Sequence, residues 1–137
     1  MTIGIIGSRR RDERADRLAV TTVFSKIYEY GDTIVSGGCP KGGDCFAEGI
    51  ATQCDINIRI HYPDKSQLDV RLPYRVAYAK IAYARNELIA RDADVLIAVV
   101  APDRKGGTEH TIKCFLRKWG AKYTEAEAIR TGKLVLV

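Results

Sequence analysis

Three absences narrow this 137-residue chain before any motif is read. It has four cysteines, Cys39, Cys45, Cys54 and Cys114, but no Cys-x-x-Cys pair, and neither His61 nor His110 stands at a zinc-finger spacing from them. That excludes a zinc-finger framework and leaves reduced thiols as the expectation, with no metal or cofactor required. No apolar run approaches a membrane span and no signal sequence precedes the first strand, so no membrane partner and a cytoplasmic location are expected. Charge of one sign does not dominate either: 22 basic and 17 acidic side chains leave a formal +5. This suits an anionic small molecule and permits nucleic-acid contact, without the clustered basicity of a dedicated DNA binder.

Two nucleotide-binding signatures are also missing. A dinucleotide-binding domain needs Gly-x-Gly-x-x-Gly after its first strand and an acidic residue closing the second. Here the first loop reads Gly4-Ile-Ile-Gly7-Ser8-Arg9 and the second strand runs into Ser36-Gly37-Gly38. A P-loop needs a lysine after its last glycine, and Asp44 stands there instead, after Gly43. NAD binding and Walker-type ATP hydrolysis are therefore not expected.

What is present is an alternation of strand and helix through one domain, residues 1–137. With 46% hydrophobic and 28% charged residues, a chain of this size buries a core unaided. Thr2 to Gly7 is a short, apolar, Gly-terminated run, the pattern of a central parallel strand buried on both faces. Between Glu13 and Tyr30, Val20, Val23, Phe24 and Ile27 recur at helical spacing. A second strand spans 33–36, and Asp44 reads as the cap of a helix ending near Cys54. A third strand covers 56–61, and 62–73, bracketed by prolines, reads as a surface excursion.

From Tyr74 to Asp92 the helical pattern is continuous, with Ala77, Ile81, Ala84 and Leu88 on one stripe. A helix of about 18 residues would be about 27 Å long, against about 17–20 Å for a strand of ordinary length, which predicts a break near Tyr83. The fourth strand spans 94–101, followed by helices over 108–119 and 125–130 and a last strand over 133–137. The predicted fold is α/β, a three-layer Rossmann-like sandwich on a parallel five-stranded sheet of order 3-2-1-4-5.

That order reverses between strands one and four, so a ligand belongs in the crevice at their C-terminal ends. Three glycine-containing loops converge there: Gly7-Ser8-Arg9, Gly37-Gly38 and Gly106-Gly107-Thr108. A Gly-Gly-Thr turn that opens a helix gathers free backbone N–H groups and the positive helix end, which is an anion site. Of the three consecutive arginines, Arg9 touches the loop, whereas Arg10 and Arg11 read as surface charges. Tyr74, Tyr78 and Tyr83 read as packing aromatics or as a wall for a base.

Gly7-Ser8-Arg9, Ser36-Gly37-Gly38 with Gly42-Gly43-Asp44, Arg85-Asn86, Ala93-Asp94 and Gly106-Gly107-Thr108 together resemble the SLOG superfamily. This group of Rossmann-like nucleotide-binding domains includes the Lonely Guy or lysine decarboxylase-like phosphoribohydrolases, the core of the DNA-processing protein DprA, and a small single-domain YspA-related branch. The resemblance implies a nucleotide or nucleotide-derived phosphate ligand and a homodimer, with the helix carrying Arg85 as the candidate surface. In the hydrolases an arginine nine residues before the strand-four aspartate and a glutamate three residues after the Gly-Thr threonine act on an N-glycosidic bond. Arg85 matches the first position, and Thr111 occupies the second. The implied readings are a binding or processing domain; a hydrolase with Arg85 orienting the ribose phosphate and Glu109 as acid/base; and, by likeness to DprA, single-stranded DNA binding.

Overall fold

The computed structural model describes residues 1–137. Five parallel strands form one sheet: β1 (Thr2–Gly7), β2 (Thr33–Ser36), β3 (Ile58–Ile60), β4 (Val95–Val99) and β5 (Leu134–Leu136), in the order β3-β2-β1-β4-β5. Alternation along the central strands sends side chains to opposite faces. Ile3, Ile5, Ile34, Ile97 and Val99 meet helices α1 (Arg14–Ile27) and α2 (Gly43–Cys54). Ile6, Val35, Leu96 and Ala98 meet α3 (Tyr74–Asp92), α4 (Gly107–Lys118) and α5 (Glu125–Arg130). The result is the expected α/β three-layer sandwich with the expected strand order. No helix is long and apolar enough to cross a membrane.

α1 starts at a capping box in which Glu13 and Asp16 satisfy each other's backbone N–H groups. It ends at Ile27, three residues before the predicted end, because Tyr28 turns extended and stacks on Phe24 with ring centroids 5.3 Å apart. β3 is shorter than its alternating pattern: Ile56 leaves the sheet to close the end of α2, its N–H donating to the Ala51 carbonyl at 2.9 Å.

The predicted break in α3 does not occur; the helix runs unbroken for 19 residues. Its extra length is accommodated by overhang. Ile89 and Ala90 pack on the sheet, while the outer turns pass its C-terminal edge and meet a 3-10 turn at Lys65–Gln67. The buried stripe also differs from the prediction. Ala77, Ile81 and Ile89 are buried at four-residue spacing, whereas Leu88 is 37% exposed. Arg85 falls on that buried stripe, and this carries its side chain under the sheet edge.

Candidate functional site

β1 and β4 are adjacent and in register, Gly7 beside Val99, and their neighbours lie on opposite sides. The crevice at these strand ends is a cleft of about 360 Å³. Of the residues singled out from the sequence, Gly7, Ser8, Arg9, Gly106, Gly107, Thr108, Thr111 and Arg85 line it. Gly37 and Gly38 lie beside it and do not line it; from their loop the cleft receives Cys39.

The first wall is the β1 loop. The Ser8 N–H donates to the Val99 carbonyl at 2.9 Å and its hydroxyl accepts from the Arg10 N–H at 3.2 Å, which holds the turn against β4. Arg9 lines the cleft and is exposed. Arg10, read from sequence as a bystander, also lines it. Its guanidinium forms a two-pronged bond to Asp103 at 3.0 and 2.6 Å and donates to the Lys105 carbonyl at 3.2 Å, tying the first loop to the loop after β4. Arg11 is structural, held on Asp16 at 2.7 Å and on the Val100 carbonyl at 3.1 Å.

The second wall is the start of α4. Gly106 occupies the cap position at φ 118°, a conformation that favours glycine, and no side chain caps the helix. The first-turn N–H groups are therefore left for solvent or a ligand. Thr111 is buried and its hydroxyl donates back to the Gly107 carbonyl at 3.2 Å. Glu109 does not reach the cleft: Arg104 Nε donates to both of its carboxylate oxygens at 3.0 Å, and the same guanidinium holds Glu125.

The floor comes from the middle of α3. Arg85 donates through Nη1 to the carbonyls of Gly37 and, at 3.4 Å, His61, and through Nε to Asn86 Oδ1 at 3.0 Å. Asn86 in turn donates to the Gly107 carbonyl at 3.3 Å, linking α3 to the start of α4. Tyr83 stands at the rim, 49% exposed, its ring stacked on His110 at 4.1 Å.

Behind these lies Asp44, 7% exposed. It is not the predicted cap of α2, since Gly42 takes that position and Asp44 sits within the first turn. The carboxylate accepts from the Cys39 N–H at 3.1 Å, and the other oxygen lies 3.0 Å from the Ser36 hydroxyl. That hydroxyl has one proton and a second, closer acceptor, the Ile5 carbonyl at 2.6 Å. A proton on Asp44, donated to Ser36 Oγ, satisfies all three groups. Burial pushes the Asp44 carboxyl above the ordinary carboxylate range, although the Cys39 N–H and nearby Arg85 oppose the shift.

Gly43 sets the distance between α2 and β1. A Cβ there would lie 2.2 Å from the Ile6 carbonyl carbon and 2.4 Å from the Gly7 nitrogen. The start of α2 therefore touches the end of β1, beside the cleft. Four cations, Arg9, Arg10, Arg85 and Lys105, face a single lining carboxyl group, Asp44, with an uncapped helix start between them. No protein-family model, curated protein or solved structure matches this chain. The chemistry of the cleft thus stands on its own residues.

Arg10, Cys39, Asp44, Asn86 and Lys105 are polar lining residues that sequence reasoning did not assign to the site. A run of three arginines gives no sign of which one faces a ligand; the turn held by Ser8 decides it. Lys105 adjoins the glycine pair, and its position next to the turn expected to bind an anion was the one available signal.

Proposed function

We propose that the cleft binds a nucleotide or a nucleotide-derived phosphate ligand, as a sensor or processing domain. The observation that carries this is the meeting of an uncapped helix start at Gly106 to Thr108 with four cationic side chains in one crevice. A phosphate there accepts from the α4 backbone N–H groups while Arg9 and Lys105 neutralise its charge. The exposed face of Tyr83 at the rim offers a stacking surface for a base. A volume of about 360 Å³ falls in the range of small-molecule sites. The resemblance of the loop motifs to the SLOG superfamily points the same way.

The test is to incubate purified protein with a panel of nucleoside mono- and diphosphates and to chromatograph both the solution and the protein-bound fraction. Intact nucleotide on the protein supports the reading. Retention of nothing across the panel, at low salt, removes it. Retention that grows with oligonucleotide length and collapses with salt would instead mark single-stranded DNA binding.

One observation favours a second reading, phosphoribohydrolase activity. A lining carboxyl group whose protonated form is favoured by burial can serve as a general acid, and Asp44 is the group so situated, not Glu109. In this reading Arg85 orients the ribose phosphate, water adds to the ribose C1′ as the C1′–N bond breaks, the Asp44 proton turns from Ser36 Oγ to the departing base, and the proton released by the water restores Asp44. Free base with ribose 5-phosphate in the panel experiment, lost in Asp44→Asn and Arg85→Ala but kept in Glu109→Gln, is the expected signature.

A further inference from the structure

Outside the cleft, three side chains of different donor chemistry meet where α3 packs on α4. Glu87 of α3 approaches His110 and Cys114 of α4, and one donor atom from each lies within 4.8 Å of the others. His110 and Cys114 are four residues apart, which places them on one helical face. Cys114 Sγ lies 3.8 Å from His110 Nε2 and 3.9 Å from Nδ1. Tetrahedral bonds of about 2.3 Å to sulfur and about 2.0–2.1 Å to nitrogen set two such donors about 3.6 Å apart. The pair is within a few tenths of an ångström of that arrangement.

Glu87 shares a shallow recess of about 350 Å³ with Arg91 and Arg117, yet it forms no ion pair with either. Arg91 instead binds Asp92 at 3.0 Å, and Arg117 Nη2 lies 3.5 Å from Cys114 Sγ. The carboxylate therefore stays free on the side where the imidazole and thiol stand. The same recess, lined also by Cys114, gives an ion a path from solvent.

We propose that Glu87, His110 and Cys114 form a binding site for a divalent cation of the zinc class, with water in the remaining position. Mixed sulfur, nitrogen and oxygen donors suit such an ion and disfavour magnesium or calcium. Loading breaks the Cys114 S–H bond, forms a metal–thiolate bond and releases one proton to solvent. The thiolate, the Glu87 carboxylate and a neutral imidazole then balance the two positive charges. Arg117 supports the sulfur and the Tyr83 stack holds the ring, while coordination through Nε2 places the ring proton on Nδ1 and requires the Asn86 amide nitrogen, 3.3 Å away, to shift aside. Tyr83 and Asn86 also line the cleft, so the ion sits one side chain away from it. The assignment does not depend on the nucleotide reading and survives its failure.

Cobalt(II) is the probe, added to the reduced full-length protein under anaerobic conditions. One equivalent should bind with a sulfur-to-cobalt charge-transfer band in the near ultraviolet and the intense visible bands of a tetrahedral ion, all displaced by zinc. Cys114→Ser should abolish the charge-transfer band and His110→Ala should abolish tight binding. Glu87→Gln, a surface change that leaves folding intact, should weaken binding roughly tenfold or more, since loss of mere outer-shell partners costs about 10–100-fold. A variant with Cys39, Cys45 and Cys54 all changed to serine should keep the full spectrum. The proposal is overturned if no thiolate band appears in the wild type, if the band persists in Cys114→Ser, or if it disappears in the triple-serine variant.

Discussion

Replacing Gly43 by alanine should destabilise this fold far more than one methyl group suggests. The new carbon would sit 2.2 Å from the Ile6 carbonyl carbon, about 1.2 Å short of ordinary contact. Its neighbours are backbone atoms of the central strand, with no rotamer to turn aside. α2 must therefore back away from β1, loosening its own core-facing Phe46, Ala47 and Ile50. Overpacking with a forced backbone shift costs about 1–3 kcal/mol, and a clash with the strand itself belongs at about 3 kcal/mol. The gain in helix propensity of alanine over glycine, about 0.5–1 kcal/mol, offsets little of this. With an unfolding entropy of about 2.1 cal/mol/K per residue over 137 residues, Tm should fall by about 10 °C. Thermal unfolding followed by circular dichroism, with a urea titration to confirm an unchanged slope, measures it. A Tm within about 2 °C of wild type would show that α2 yields freely and that Gly43 does not set the junction beside the cleft.

Three further outcomes are expected. Gly107→Ala adds a methyl group whose nearest neighbour is 3.8 Å away, so stability should hold within about 0.5 kcal/mol. Nucleotide retention should nevertheless drop roughly tenfold, about 1.4 kcal/mol, because the backbone N–H remains but the methyl group stands in the cleft where the phosphate must approach it; equal retention would move the phosphate away from the α4 start. Asp103→Asn releases Arg10 into the cleft and should raise nucleotide affinity a few-fold at low salt, measured by calorimetric titration, whereas unchanged affinity would exclude Arg10 from the site. Burial raises the folded-state carboxyl of Asp44 above the ordinary carboxylate range, so between the unfolded-state and folded-state values the native state binds more proton than the unfolded chain. Its contribution to stability is complete below that ordinary range and is lost as pH rises through the folded-state value. Urea midpoints should show this decline in wild type and not in Asp44→Asn, whose amide donates to Ser36 Oγ while its oxygen accepts from the Cys39 N–H. Parallel pH profiles for the two proteins would mean that Asp44 carries no proton.

The sheet was legible because strands such as Thr2–Gly7 are apolar on both faces and each is followed by a glycine or a polar turn. Glycine loops marked the cleft for the same local reason. What escaped is what depends on partners distant in sequence. The break assigned to α3 assumed that a helix must fit its sheet, and 62–73 instead supplies a second surface for the outer turns. Arg104 claims Glu109 from the left-handed conformation at φ 54°, which no pattern announces for an arginine. Asp44 has the spacing of a helix cap, and only the crowding of Gly43 on β1 makes it an interior group. Spacing rules for metal sites passed over His110 and Cys114, and Glu87 reaches them only because α3 brings it from the opposite wall.

The cleft takes its walls from the β1 loop, the start of α2, the middle of α3 and the start of α4, stretches that span residues 6 to 111. None of these walls exists without the sheet that aligns them, so recognition and global folding share one cooperative unit. A ligand bound there as proposed, at a hundredfold excess over its Kd, would act as a clasp on the entire chain, adding about 2.7 kcal/mol to its stability. A fragment ending before α4 would lose not a fraction of the affinity but all of it, and a rise in melting temperature would identify the ligand even where no chemistry follows binding.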